Sequence, residues 1–256
     1  MNGRVLMRVA AAVGGLMVSA TAGHAAELKV FTSVALTQAL NELSPIFEQK
    51  TGNKVVISYD LAAVQKKRVL DGERADVIIL TRSMMEDLAK QNKLAPGNLV
   101  NVAGTPVALA ARAGAPKPDI STVDAFKQTL LAAKSISYAD PAKGGLSGVV
   151  AGKAIERLGI ADQMKAKTTL VPGAQSPELV AKGEVELGIA QASEIVPIAG
   201  VQLVGALPGE VGSLTLFTGG VGAESGSADA ARALIEFLSG PEAAPHFKSK
   251  GFEQAP

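Results

Sequence analysis

Four turns along the chain carry hydroxyl, amide or glycine groups between an apolar strand-like run and a helical pattern. They lie at residues 32–33, 59–62, 140–148 and 172–177. Each turn also offers free backbone N–H groups and the positive end of a helix dipole, which together favour a bound anion. Thr32 or Ser33 alone would suit a simple helix N-cap. The recurrence of the pattern predicts an anion site that includes these two hydroxyls.

The third turn is the most specific of the four. Gly144, Gly145 and Gly148 let a backbone approach a ligand closely, and Ser147 adds a hydroxyl. The glycine spacing matches neither a P-loop nor a dinucleotide fingerprint, so nucleotide binding is rejected. A flexible loop with a serine N-cap is the alternative. In the fourth turn Gln175 offers an amide.

Asp60, in the second turn, is our candidate for a base at the predicted ligand turns. An Asx-turn or helix N-cap is its alternative role. Repulsion between an ionised Asp60 and an anion bound at ~5 Å would cost about 3 kcal/mol per charge pair at an effective dielectric near 20. Arg68 and Arg82 could offset that repulsion, since guanidinium grips carboxylates in a bidentate way. Lys66 and Lys67 suit a solvated helix face.

Composition excludes several classes of function. The chain has no Cys, and its only histidines are His24 and His246, so disulfides, thiolate chemistry, a histidine triad and a multi-histidine metal site are ruled out. We expect no metal and no organic cofactor. Near-neutral charge gives no electrostatic footprint for nucleic acid. With 4% aromatics and no Trp, the chain also lacks the anchors of a protein-interaction module.

The first 25 residues have the pattern of a signal peptide. Arg4 and Arg8 precede an apolar run at 9–20, and cleavage is predicted after Ala25. The run is too short and too rich in Gly and Ala for a comfortable membrane span. Without the leader, 23 basic residues stand against 24 acidic ones, for a net charge of −1. These features predict a periplasmic protein with no stable membrane insertion.

Strand-like and helical patterns alternate nearly throughout, which predicts an α/β fold with mainly parallel sheets flanked by helices. Strands are predicted at 28–31, 55–59, 76–81, 107–111, 135–138, 168–171, 187–191, 201–207 and 214–219. Helices are predicted from residue 34 to about 49 and at 64–70, 84–91, 123–133, 148–158, 177–182 and 228–238.

Two composition shifts, at 103–105 and 207–212, predict passages of the chain between two lobes. Lobe 1 would comprise residues 26–105 and 208–256, and lobe 2 residues 106–207. The ends of strands and the starts of helices would then line a cleft between the lobes, where α/β proteins bind ligands.

Several short strings resemble the periplasmic molybdate-binding proteins of ABC importers, from about Glu27 to the C-terminus. They are 30–33 (VFTS), 47–52 (FEQKTG), 72–77 (GERADV), 140–141 (DP), 186–189 (ELGI) and 247–252 (FKSKGF). The resemblance implies a two-lobed periplasmic-binding-protein fold of the second type, with a cleft that closes on a small anion.

The resemblance also implies roles for some residues. Ser33 matches the first hydroxyl ligand of the family, and Ser147 and Gly148 fall at the backbone donor of the second lobe. Asp60 stands where the family has Gly- and Ser-rich residues, and Gln191 stands where it has a tyrosine. These departures favour an organic polycarboxylate over a tetrahedral oxyanion.

Two functions stay open. The similar family includes an aconitate isomerase, whose chemistry is a proton shift across an allylic tricarboxylate; Asp60 would be the base, with Ser33, Ser147, Gln191 and Arg68 binding carboxylates. The alternative is the binding component of an ABC importer for molybdate or a similar oxyanion, with a permease as partner. We expect an isomerase, with a small anion as the ligand in both cases.

Overall fold

The structure is a computed structural model that describes residues 25–253. The predicted leader, apart from Ala25, lies outside the described residues. The strands are β1 Glu27–Ser33, β2 Lys54–Asp60, β3 Val77–Thr81, β4 Val100–Arg112, β5 Ile136–Ala139, β6 Thr168–Val171, β7 Leu187–Gln191, β8 Val201–Ala206 and β9 Leu214–Val221.

Ten α-helices connect or flank these strands within residues 25–253. They are α1 Thr37–Thr51, α2 Ala62–Leu70, α3 Arg82–Lys90, α4 Val123–Ala132, α5 Leu146–Arg157, α6 Ala161–Lys165, α7 Ser176–Lys182, α8 Ala192–Ile195, α9 Ala228–Ser239 and α10 Ala244–Ser249. Short 3₁₀ turns lie at Val34–Leu36, Pro141–Lys143 and Gly209–Val211. Among the described helices, none combines the length and the apolar character needed to cross a membrane.

The strands form two sheets that share β4. In the first sheet the order is β2-β1-β3-β9-β4, with β1 parallel to both β2 and β3. In the second, β4 pairs with β7 and β8, and β5 lies parallel to both β6 and β7. Parallel strands of one sheet end at the same edge, so the turns after β1 and β2 are neighbours.

Strand β4 is the element that joins the two sheets. Its first half pairs antiparallel with β9, from Val100 to Pro106, and its second half pairs antiparallel with β7, from Val107 to Ala111. The sequence predicted a strand only at 107–111, with a passage between lobes at 103–105. In the structure that passage lies inside one continuous strand, which begins seven residues earlier than predicted. Pairing with β9 stabilises the extra segment.

Apolar side chains cover both faces of each sheet. Helices α1, α9 and α10 pack on one face of the first sheet around Phe47, Phe217 and Phe247, and α2 and α3 pack on the other face around Phe31. Helices α4 and α5 cover the second sheet around Phe126. Full coverage of both faces is the usual arrangement for parallel strands in α/β proteins.

The predicted helices are present with shifts of a few residues at their ends, and three short helices were not predicted. Helix α5 begins at Leu146 rather than at 148, and α2 begins at Ala62 rather than at 64. Helices α6, α8 and α10 span six residues or fewer, which is too short for a helical period to show in the sequence.

Candidate functional site

A small cavity lies between the turns that follow β1 and β2 and the turns that follow β5, β6 and β7. Its volume is about 10 Å³, room for about one water molecule, so a larger ligand requires the two sides of the cavity to move apart. The lining residues are Ser33, Val34, Leu61, Ala62, Ala139, Gly144, Gly145, Leu146, Ser147, Gly173, Gln191 and Glu194. Residues from all four turns singled out in the sequence therefore border one cavity. Other, larger cavities exist on the outer surfaces of the molecule, away from these turns.

Ser33 is placed by the end of β1. Its side chain is 3% exposed, and its Oγ accepts a hydrogen bond from the Ala35 N–H at 3.3 Å, so it caps the 3₁₀ turn Val34–Leu36. A hydroxyl oxygen that accepts from the backbone still has its own O–H to donate. The Ser33 hydroxyl can thus serve both as a cap and as a hydrogen-bond donor to an anion in the cavity.

On the opposite side, Ser147 and Gly148 occupy the first turn of α5. Ser147 is 3% exposed and lines the cavity. Gly148 is packed so closely on β5 that a Cβ at this position would overlap the Ala139 carbonyl. Glycine at 148 is therefore required for α5 to begin beside the end of β5, which positions Ser147 and the free N–H groups of the first turn.

The third side of the cavity is the junction of β7 with α8. Gln191 is 1% exposed, and its Oε1 is one of two buried side-chain atoms in the described chain with no hydrogen-bond partner; the other is Ser193 Oγ. The Gln191 side chain faces the Glu194 N–H as in a capping box, without completing a hydrogen bond. The Ser193 N–H donates to Thr105 Oγ1 at 3.2 Å, which ties α8 to β4.

Glu194 is the functional candidate that the sequence reasoning missed. Its Oε2 accepts the Gln191 N–H at 3.1 Å, and its carboxyl lies among protein atoms although the residue as a whole keeps some exposure. Burial raises the pKa of Glu194 to about 7, and the hydrogen bond from Gln191 offsets part of that shift. The spacing of Gln191 and Glu194 after a strand is a capping-box signal that could have drawn attention to it.

Asp60 ends β2 directly beside Ser33, its register partner on β1. Its Oδ1 accepts the N–H of Leu61 at 2.7 Å, and Leu61 lines the cavity. Arg68 stands on α2 near enough to Asp60 for the carboxylate to help raise the arginine pKa, although Glu73 is the larger cause. Asp60 is thus the residue next to a lining residue, Leu61, and is not itself part of the cavity lining; Arg68 is a cation close to it.

Arg68 is held by several protein groups. Its Nε and Nη2 donate to the two carboxylate oxygens of Glu73 at 2.7 and 2.6 Å, and its Nη1 donates to Ser58 and Gln65. The guanidinium also lies 4.1 Å from the centre of the Phe31 ring. These contacts occupy four of the five N–H donors of Arg68, so a bidentate grip on a ligand would require at least one of them to be exchanged.

Asp60 and Arg68 are not in the cavity lining, and three further predicted site residues also lie outside it. Thr32 is fully buried and donates its hydroxyl to the Ile79 carbonyl at 3.0 Å. Arg82 begins α3, is exposed, and donates to Glu86 at 2.7 Å. Gln175 is exposed at the start of α7, where neighbouring Gly173 reaches the cavity. Within residues 25–253, no group of three or more His, Asp or Glu side chains is placed to hold a metal ion.

The chain matches the bacterial extracellular solute-binding protein family over residues 28–253. A relative named aconitate isomerase, from Pseudomonas sp, is 32% identical, and the match covers 96% of each chain. A molybdate-binding protein of Escherichia coli (strain K12) is 25% identical over 93% of this chain and 95% of its own length. The resemblance noted in the sequence is therefore confirmed.

Solved structures show the same architecture. The periplasmic molybdate-binding protein of Azotobacter vinelandii superposes with a TM-score of 0.72 at 20% identity, covering 90% of this chain and all of that one. The substrate-binding domain of a molybdenum ABC transporter from Clostridium difficile gives 0.73 at 18% identity, over 91% of this chain and 100% of its own. The predicted two-lobed fold of the second type is confirmed. The chain belongs to the bacterial extracellular solute-binding protein family.

Proposed function

We propose that this protein binds a small polycarboxylate in the cavity and acts as a periplasmic aconitate isomerase, which interconverts cis- and trans-aconitate by an allylic proton shift. The observation that carries the proposal is the cavity itself: Ser33 and Ser147, from turns far apart in the chain, line it together with the carboxyl of Glu194. The relative named aconitate isomerase, 32% identical along nearly the whole chain, supports the same activity.

The donors around the cavity suit carboxylates. Hydroxyls of Ser33 and Ser147 and the free N–H groups at the start of α5 can hold negative oxygens without adding fixed positive charge. The oxygen of the buried Gln191 amide has no hydrogen-bond partner, and its N–H₂ group is a further possible donor to a carboxylate. Such donors also stabilise the charge that moves onto a carboxylate when an adjacent carbon loses a proton.

The acidic residue near the cavity favours an isomerase over an oxyanion carrier. An ionised Asp60 at ~5 Å would cost about 3 kcal/mol per pair of like charges at an effective dielectric near 20, for molybdate and aconitate alike, so a simple carrier would gain nothing from it. A proton-transfer reaction needs a base near the substrate, and Asp60 is our candidate. Arg68, although held by Glu73, is the nearest cation identified beside Asp60.

The test is direct: purified protein lacking the leader is mixed with cis- or trans-aconitate, and ultraviolet absorbance follows the interconversion. We expect turnover by the native chain, and a loss of about 100-fold or more in kcat for Asp60→Asn, as is usual when a general base is removed. Glu236→Gln, an exposed change on α9, is the control. Binding of aconitate without turnover would contradict the isomerase proposal.

Transport of an oxyanion is the second candidate, favoured by the two molybdate-binding relatives at 25% and 27% identity. In that case an ABC permease would be the partner. A thermal-shift screen of molybdate, tungstate, sulfate, citrate and aconitate separates the two. If only molybdate and tungstate raise the melting temperature, the protein is an oxyanion carrier and the role given to Asp60 is wrong.

A further inference from the structure

Glu194 is a partly buried residue that lines the cavity, and no ion pair in the described chain includes it. Its only hydrogen bond recorded in residues 25–253 is the one that Oε2 accepts from the Gln191 N–H, and it takes part in none of the ion pairs found there. A carboxylate that is buried without a counter-charge favours its neutral form. Its position in the cavity lining means that this group can meet a ligand.

The surroundings of α8 contain almost no charge. The elements packed most closely on α8 are β4, β7, β8 and the turn Val34–Leu36, and the only ionisable side chain on them is Arg112. Arg112 lies five residues beyond the pairing of Val107 with Gln191, a distance of about 16 Å along the strand. The segment around Gly251 also touches α8, but Lys250 there is paired with Glu42 at 2.5 Å.

An allylic proton shift needs a proton removed from one carbon and another added two carbons away. One group must be ionised and the other protonated at the working pH for both transfers to proceed. Glu194 lines the cavity just after β7, and Asp60 ends β2 next to Leu61, which lines the cavity from the other sheet. Their environments differ: Arg68 lies near Asp60, whereas no cation contributes to the pKa of Glu194.

We propose that Glu194 is a second catalytic residue, the general acid that works opposite Asp60; this inference rests on the isomerase proposal. The Asp60 carboxylate takes a proton from the CH₂ carbon of aconitate, and the C–H electron pair moves through the allylic system. A new C–H bond then forms at the distal alkene carbon with the proton of the Glu194 carboxyl. Asp60 ends protonated and Glu194 ionised, and the reverse reaction or proton exchange with solvent restores them.

The elevated pKa of Glu194, about 7, fits this role because roughly half of the groups hold a proton at neutral pH. Activity should fall above about pH 7 as Glu194 loses its proton. The competing structural role is that Glu194 only caps α8 through the Gln191 N–H. That role predicts an effect on stability without an effect on the pH profile.

Glu194→Gln tests the inference, because glutamine keeps an oxygen to accept the Gln191 N–H but carries no transferable proton. We expect kcat to fall by about 100-fold or more, while aconitate still raises the melting temperature. The decline above neutral pH should also vanish from the residual activity. Glu184→Gln, an exposed change before β7 on the same lobe, is the matched control and should behave like the native chain.

The outcomes separate the two proposals. No turnover by the native chain contradicts the isomerase proposal itself. Native turnover with unchanged kcat and pH profile in Glu194→Gln overturns the role of Glu194 alone. Should Glu194→Gln melt well below the native chain, Glu194→Asp decides: recovery of turnover with a shifted pH profile supports the acid, and a folded Glu194→Asp without turnover overturns it.

Discussion

Gly148 is the residue on which the second side of the cavity depends, since a Cβ there would overlap the carbonyl of Ala139. We expect Gly148→Ala to lower the free energy of unfolding by about 1–3 kcal/mol, because overpacking must push α5 away from β5. Ligand binding should weaken as well, because Ser147 moves with the helix. Urea denaturation measures the first effect and ligand-induced thermal shifts the second.

Gly152 provides a matched control in the same helix. A Cβ at 152 meets nothing within 4 Å, so Gly152→Ala should raise the free energy of unfolding by about 0.5–1 kcal/mol through helix propensity. Equal effects of the two substitutions, in either direction, would contradict the close contact between α5 and β5.

The lowered pKa of Glu73 predicts that the fold loses stability at acid pH. Arg68 and then Lys29 hold the pKa of Glu73 at about 2, below its ordinary value of 4.5. A depressed folded-state pKa stabilises the fold above the unfolded value and ceases to do so as pH falls towards the folded value. The contribution of Glu73 is therefore present above about pH 4.5 and lost between there and about pH 2.

The measurement is the free energy of unfolding between pH 2 and 6. We expect Glu73→Gln to be less stable than the native chain at pH 6, and the difference to shrink as the pH falls. Glu236→Gln removes the same charge at an exposed site on α9 and is the comparison variant. A Glu73→Gln difference that stays constant with pH would rule out the ion pair as its source.

At the scale of elements, the C-terminal end of α4 is capped by a lysine that lies outside the helix. The Nζ of Lys167 donates to the carbonyls of Leu130, Leu131 and Ala133 at 3.0, 2.7 and 2.8 Å. Those carbonyls lie at the end of the helix, where they lack intrahelical partners and where the dipole favours a cation. Lys167 thus fixes the start of β6 to the end of α4.

Lys167→Met should therefore lower the free energy of unfolding by about 1–2 kcal/mol. Lys165→Met makes the same change at an exposed position two residues earlier and should have little effect. Chemical denaturation of the two variants side by side is sufficient. If both lose the same stability, loss of lysine charge in general, rather than capping of α4, explains the result.

Hydrophobic periodicity predicted most elements because long helices and buried strands repeat their apolar residues regularly. It failed at the first half of β4, where Asn101, Gly104 and Pro106 give turn signals that pairing with β9 overrides. It also missed α8, a helix of four residues. Short elements and strands that take their stability from distant partners are the cases where local sequence carries too little information.

At the scale of the whole molecule, the turns were predictable and the side-chain partners were not. The pattern of hydroxyls at strand-to-helix turns singled out Ser33 and Ser147, and both lie at one cavity. The sequence could not show that Arg68 is held by Glu73 or that Glu194 points towards the cavity. Both facts depend on which faces of separate elements meet in the fold. The roles of these residues in binding stay predictions, as do the proposed lobe boundaries.

A cavity bordered by turns from both sheets implies that one ligand contacts both at once. At a concentration of about 100 times its dissociation constant, aconitate should then stabilise the native chain by about 2.7 kcal/mol. Ser33→Ala and Ser147→Ala each remove one hydroxyl, from opposite sides of the cavity. Losing a hydrogen bond to a charged group costs about 1.5 kcal/mol or more, a roughly tenfold weaker affinity.

At that same aconitate concentration, each single variant should retain about 1.4 kcal/mol or less of ligand stabilisation. The double variant should lose nearly all of it if the two effects add. Ser239→Ala, at the end of α9, is the control and should keep the full shift. Stabilisation that depends on Ser33 but not on Ser147 would place the ligand on one sheet alone, and the joint cavity would then not be the binding site.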